Sequence, residues 1–126
     1  WSSDVCSSDL VISPIATDHD GVGYNVNADL VAAAIGGALR ADSVIYLTDV
    51  DGIYRNWPNK SSIIGEISIA QLRAIENSFT DGMIPKVKAA INAIESGALS
   101  VRITNGTKLE AVLDALDNQG GTLVVA

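Results

Sequence analysis

The sequence predicts an α/β fold: a mainly parallel sheet with helices on both faces, a three-layer αβα sandwich. Three observations predict it. Strand-like apolar runs alternate with helix-like segments. The run Val-Ile-Tyr-Leu-Thr at Val44 to Thr48 is continuously apolar, as in a strand buried on both faces. Helix-start signals recur between these runs, including Ser68 with Gln71 and Thr107 with Glu110, both spaced as capping boxes.

Each element follows from local chemistry. Val11 to Ala16 is a short apolar strand. Asp18-His-Asp-Gly21 is a turn, and Asp20-Gly21 is a common hairpin dipeptide. Gly23 to Val26 is the returning strand. Asn27 caps an alanine-rich helix from Ala28 to about Ala41. The Val44 strand follows, then a polar loop from Asp49 to Lys60. The Ser68 capping box opens a helix to about Asn77. Asp81 reads as an N-cap, and Pro85 fits a first turn, where no amide donor is needed. That helix runs through Lys86, Val87, Ala90, Ile91 and Ile94 to Gly97, a good terminating residue. Ser100 to Thr104 is a strand, Thr107 opens a helix to about Leu116, and Gly120-Gly121 leads into a last strand, Thr122 to Val125.

Composition narrows the function. The chain has 126 residues, one domain's worth, and 48% of them are hydrophobic, enough for a core. No apolar run approaches a membrane span, so no membrane partner is expected. A net charge of −7 argues against a nucleic-acid partner, and obliges any phosphate site to concentrate the few cations locally. One cysteine, Cys6, and one histidine, His19, exclude an internal disulfide and a Cys/His metal cluster. A reducing, cytoplasmic setting fits. Residues 1–10 repeat a Ser-Ser-Asp theme without periodicity and read as a foreign leader. The fold is expected over residues 11–126.

Lys86 is the informative misfit. A cation in a helix's first turn opposes the macrodipole by roughly 0.3–1 kcal/mol, and a bound anion there would reverse the balance. Ligands in parallel sheets bind beyond the carboxyl ends of strands. Two more polar clusters are expected at that edge: Asn25-Val-Asn-Ala-Asp29 and Thr48-Asp-Val-Asp-Gly52. Asn27 is explained as a cap and Asp29 by the dipole, whereas Asn25 lies before the cap and is free to donate to a substrate carboxylate. The two aspartates suit an ordinary turn or a nucleotide contact. Without further acidic neighbours, Mg²⁺ is expected to arrive with the nucleotide, and no protein metal site is expected.

The order Tyr24-Asn-Val-Asn-Ala-Asp29, Thr48-Asp-Val-Asp-Gly52 and Asp81-Gly-Met-Ile-Pro-Lys86 resembles the carboxy-terminal half of the N-acetylglutamate kinases, within the amino acid kinase family. The resemblance runs from about Val11 to the end. It implies an incomplete amino acid kinase (carbamate kinase-like) fold, the ATP-binding half, and ATP-dependent phosphorylation of the side-chain carboxylate of N-acetyl-L-glutamate in arginine biosynthesis. It makes Lys86 and Asp29 catalytic: the lysine stabilises the transferring phosphoryl group and the aspartate organises it. Asn25 and Asn27 would meet the acetylglutamate. Thr48, Asp49, Val50, Asp51, Gly52, Ile53, Tyr54, Ser78, Phe79 and Thr80 would meet ATP or ADP.

Members of the family also carry an amino-terminal half with a glycine-rich loop, a second lysine and most of the acceptor pocket. None of it precedes Val11, so the chain alone is expected to be inactive and its full-length parent a homo-oligomer. Kinases of glutamate, aspartate, carbamate, aminoadipate or UMP, or a non-catalytic nucleotide-binding module, are the alternatives.

Overall fold

The chain alternates short strands with helices. A computed structural model describes residues 9–126. Most of the expected leader, with Cys6, lies outside the described residues. Six strands and four helices are described: β1 Ile15–Thr17, β2 Gly23–Asn25, α1 Ala28–Ala38, β3 Val44–Thr48, β4 Glu66–Ser68, α2 Ile69–Ile75, α3 Ile84–Ser96, β5 Ser100–Asn105, α4 Leu109–Leu116 and β6 Thr122–Val125.

β1 and β2 form a separate antiparallel hairpin, with Ile15 opposite Asn25. It is shorter than expected, and the first strand begins after Pro14. Asp18 closes the turn, its carboxylate accepting from the amides of Asp20 and Val22 and from the Tyr24 hydroxyl. These bonds, that from Val22 foremost, hold its pKa below the usual carboxylate range.

The main sheet has the order β3-β5-β6-β4. β3 runs parallel to β5 and β4 parallel to β6, whereas β5 and β6 are antiparallel. The reversal follows from the turn before β6. Asn118, Gly120 and Gly121 all have left-handed φ, 61°, 67° and 62°, and a Cβ on Gly121 would overlap the Ile103 carbonyl. β4 has no counterpart in the sequence reading. Three residues are too few to show a period, and the strand is held by pairing to β6 and by Leu123 N–H donating to the Gly65 carbonyl at 2.9 Å.

Helix α3 packs against both α1 and α2, and all three pack on the sheet around a core that includes Leu72, Val87, Ala90, Val101, Ile103 and Val124. α4 packs on β5. Arg102, buried in β5, donates to the carbonyls of Gly120 and Asn118 and so ties the last turn to the sheet. No helix among the described residues is long and apolar enough to cross a membrane.

Two helix starts differ from expectation. α3 begins after Met83, with no side-chain cap. Asp81 lies two residues too early, and the Thr80 carbonyl accepts from Met83 and Ile84 instead. Pro85 and Lys86 remain in the first turn. α4 has Lys108 as its N-cap residue, again with no side-chain cap. The expected Thr107–Glu110 box is absent because Thr107 turns to Asn105, donating to its Oδ1 from both its amide and its hydroxyl. The Ser68–Gln71 box and the Asn27 cap form as expected. α2 ends at Ile75, and a 3₁₀ turn, Glu76–Ser78, carries the chain on.

Candidate functional site: a lysine-lined cleft at the strand ends

The loop after β3 is built on core anchors. The Thr48 hydroxyl accepts from Val50 N–H at 3.2 Å and lies 3.0 and 3.3 Å from the Val50 and Thr104 carbonyls, to which it can donate. Gly52 passes so close to Thr122 that a Cβ would sit 2.6 Å from its hydroxyl oxygen. Ile53 is fully buried, its amide donating to that hydroxyl and its carbonyl accepting from Ile64 N–H. Of the seven residues from Thr48 to Tyr54, Ile53 therefore has nothing left for a ligand. It holds the loop in place.

Asp49 and Asp51 point to different partners. Asp49 Oδ1 lies 3.3 Å from Lys86 Nζ, and the lysine side chain is only 19% exposed. The first turn of α3 thus faces the carboxyl end of β3. The carboxylate paired with Lys86 is Asp49, not Asp29 as the resemblance suggests. Asp29 sits in the first turn of α1, where its carbonyl accepts from the Tyr46 hydroxyl at 3.1 Å. Burial first, and the Asp29 charge second, push the Tyr46 phenol up to about 12. It stays protonated and fastens the start of α1 to β3.

Asp51 is held from three sides. Its Oδ1 accepts from Lys108 Nζ at 2.7 Å and Asn105 Nδ2 at 2.9 Å, and its Oδ2 from the Tyr54 hydroxyl at 3.2 Å. The Lys108 and Asn105 bonds lower its pKa to about 2. A carboxylate so occupied is poorly suited to ligate a metal. Among the described residues, no three His, Cys, Asp or Glu side chains come together as a metal site. The donor set fits Mg²⁺ carried on nucleotide phosphates better than Mg²⁺ in a protein cage.

Between the loops after β3 and β5 lies a cleft of about 180 Å³, lined by Asp49, Val50, Asp51, Tyr54, Trp57, Lys60, Asn105 and Lys108. Tyr54 and Trp57 form one wall, with ring centroids 5.2 Å apart. The segment before α3 approaches the same wall, since a Cβ on Gly82 would lie 3.4 Å from the Trp57 indole nitrogen. Within that segment the Ser78 hydroxyl donates to the Ile75 carbonyl, Phe79 is buried and Thr80 is exposed. Asn25 and Asn27 stand apart on the hairpin and its exit. The Asn27 carbonyl oxygen is taken by its cap, accepting from Asp29 and Leu30, and only its amide nitrogen remains to donate.

Lys60, Trp57, Asn105 and Lys108 were not foreseen. Lys108 carried the signal already used for Lys86, a cation at a helix start. The apparent capping box around Thr107 hid it.

A mainly parallel sheet with lysines gathered at its strand ends, in a chain of net charge −7, defines an α/β protein whose strand-end cleft is suited to an anion. Residues 8–105 match the model of the amino acid kinase family, and the chain belongs to that family. It is 41% identical over 118 residues to the acetylglutamate kinase of Mycolicibacterium smegmatis, covering 92% of this chain and 40% of that enzyme. Against the acetylglutamate kinase of Corynebacterium urealyticum it is 40% identical over 111 residues, covering 88% of this chain and 36% of that enzyme. The chain thus spans well under half the length of these relatives. Among solved structures, it superposes on the N-acetylglutamate synthase of Neisseria gonorrhoeae complexed with coenzyme A and N-acetyl-glutamate with a TM-score of 0.78. The identity is 25%, over 90% of this chain and 26% of that one. Carbamate kinase from Giardia lamblia bound to AMP-PNP gives 0.67 at 26% identity, over 88% and 40% of the two chains.

Proposed function

We propose that this chain is the nucleotide-binding portion of a cytoplasmic acetylglutamate kinase, which transfers a phosphoryl group from MgATP to the side-chain carboxylate of N-acetyl-L-glutamate. One observation carries the reading. Lys86 stands in the first turn of α3, largely buried and 3.3 Å from Asp49, at the carboxyl end of β3. Relatives about 40% identical and called acetylglutamate kinases support the choice of acceptor.

The chemistry follows from charge. Phosphoryl transfer has a loose transition state, so the protein mostly positions reactants and neutralises charge. An ionised carboxylate needs no general base, but its approach to ATP brings two anions together. The Lys86 ammonium, held by Asp49, faces the developing phosphoryl charge. Asp29 steadies the start of α1 on β3. Asn25 and the Asn27 amide nitrogen meet the acetylglutamate. Thr48, Asp49, Val50, Gly52 and Tyr54, with Ser78, Phe79 and Thr80, frame ATP or ADP, while Ile53 holds the loop from behind and Asp51 holds Lys108 at the cleft wall. Mg²⁺ on the phosphates supplies further charge neutralisation. The full-length parent is a homo-oligomer.

A graft tests this. The segment replaces its matching 40% of the Mycolicibacterium smegmatis enzyme, and the chimera is offered ATP with each acceptor. Phosphorylation of N-acetyl-L-glutamate is expected, and Lys86→Ala within the graft should lower turnover about a hundredfold or more while ADP affinity holds. A folded chimera that prefers glutamate, aspartate or carbamate would overturn the acceptor assignment. Full turnover in the Lys86→Ala graft would overturn the role of the lysine.

A further inference from the structure

We propose that Lys108 is a phosphate-contacting residue of the cleft, and that Asp51 is its positioning partner rather than a ligand of nucleotide or metal. The proposal rests on the nucleotide site described above and adds a residue from outside the three motifs that carry the family resemblance.

The geometry assigns the two roles. Thr107 donates its amide and hydroxyl to Asn105 Oδ1, which leaves Asn105 Nδ2 to donate to Asp51 Oδ1 at 2.9 Å. The Tyr54 hydroxyl takes Asp51 Oδ2. The carboxylate is thereby fixed in place before Lys108 reaches it. The lysine spends one of its three ammonium donors on Asp51, at 2.7 Å, and its side chain remains 60% exposed. Its other N–H groups are available to an anion in the cleft that Lys108 itself lines. Lys60 lines the same cleft, and Lys86 reaches its rim through Asp49. Three of the chain's eight basic residues thus gather at one edge of a molecule with net charge −7. Arg73, by contrast, is paired with Glu76 and Glu95, and Arg102 is buried on backbone carbonyls.

A surface ion pair that merely staples the loops after β3 and β5 would look similar, so the test must separate phosphate contact from stapling. Calorimetry on the 126-residue chain compares ADP with adenosine, which shares the base and ribose but has no phosphate. Wild type, Lys108→Met and Lys108→Arg are titrated, and thermal unfolding of each is recorded. Loss of one charge-assisted contact predicts that Lys108→Met weakens ADP about tenfold and leaves adenosine unchanged, with Lys108→Arg restoring most of the loss. The ADP affinity of wild type should also fall more steeply with added salt than that of Lys108→Met. Equal ADP affinity in wild type and Lys108→Met would overturn the role of Lys108 and leave the nucleotide site standing. Parallel weakening of ADP and adenosine would also overturn it, showing a staple. Wild-type chain that binds neither ligand would remove the nucleotide site and this proposal together.

Discussion

At the scale of single residues, local hydrogen bonding decides which acid can act. Asp49 and Asp51 are two positions apart in an unremarkable turn sequence, yet one faces Lys86 and the other is locked by Lys108, Asn105 and Tyr54. The difference has a pH signature. Asp51 has its pKa lowered in the folded chain from 3.8 to about 2. On acidification the unfolded chain takes up that proton first, so the stabilising contribution is complete above pH ~3.8 and is lost as pH falls toward 2. Asp51→Asn should therefore lower the urea midpoint at pH 6, and the gap from wild type should narrow below pH ~4. A gap that stayed constant down to pH 2.5 would show that the charge is not what Asp51 contributes. The sequence revealed that Lys86 was misplaced for its helix, since that follows from the dipole alone. It could not reveal which carboxylate would meet it, because Asp29 and Asp49 both lie far from it along the chain and only folding chooses between them.

At the scale of elements, α1 packs closely on α3, the helix that carries Lys86, and glycine makes the approach possible. Gly37 lies against the end of α3, where a Cβ would overlap the Ser96 backbone carbonyl. Its carbonyl is also near Gly97, which ends α3 at φ 118°. Two effects compete in Gly37→Ala. Helix propensity favours alanine by roughly 1 kcal/mol, whereas overpacking against backbone costs about 1–3 kcal/mol. Backbone has no rotamer into which to retreat, so the cost should win and the unfolding midpoint should fall. Gly23→Ala, with open space around it, is the control and should shift stability little. A stabilised Gly37→Ala would mean that α1 and α3 can part freely, and that this contact does not fix the Lys86 helix. Helix positions were legible to within a few residues because capping and periodicity are local. The true starts of α3 and α4 were not. Thr107 had a better partner in Asn105, and the Thr80 carbonyl did the work assigned to Asp81. β4 was missed because three residues show no period and its partner lies far along the chain.

At the scale of the whole molecule, the sheet edges and the length of the relatives point the same way. β3, which carries the proposed nucleotide loop at its end, is an edge strand among the described residues. Beside it lies an apolar groove of about 590 Å³ that includes Ile12, Val31, Ile35, Leu39 and Ile45. The parallel sheet class was legible from the apolar Val44 run. The strand order and the antiparallel β5–β6 pair were not, since both depend on pairings between distant segments. The proposed acceptor residues illustrate the same point about reach. Asn25 and Asn27 are on or beside an exposed hairpin whose Ile15 and Tyr24 are 68% and 52% exposed, and nothing among the described residues encloses a substrate against them. The acetylglutamate kinases matched here are matched over only 36–40% of their length. Nucleotide affinity and turnover should therefore separate. The 126-residue chain is expected to bind ADP through the cleft bounded by Asp49, Tyr54 and Lys108, yet to release no ADP in response to N-acetyl-L-glutamate. Uniform binding without acceptor positioning contributes nothing to the chemical step, and lost orientation alone can remove several kcal/mol of catalysis. A coupled ADP-release assay run beside calorimetry on one preparation decides it. Acetylglutamate-dependent release at ordinary enzyme rates, about 1 per second or faster, would show that the acceptor pocket is complete within this chain.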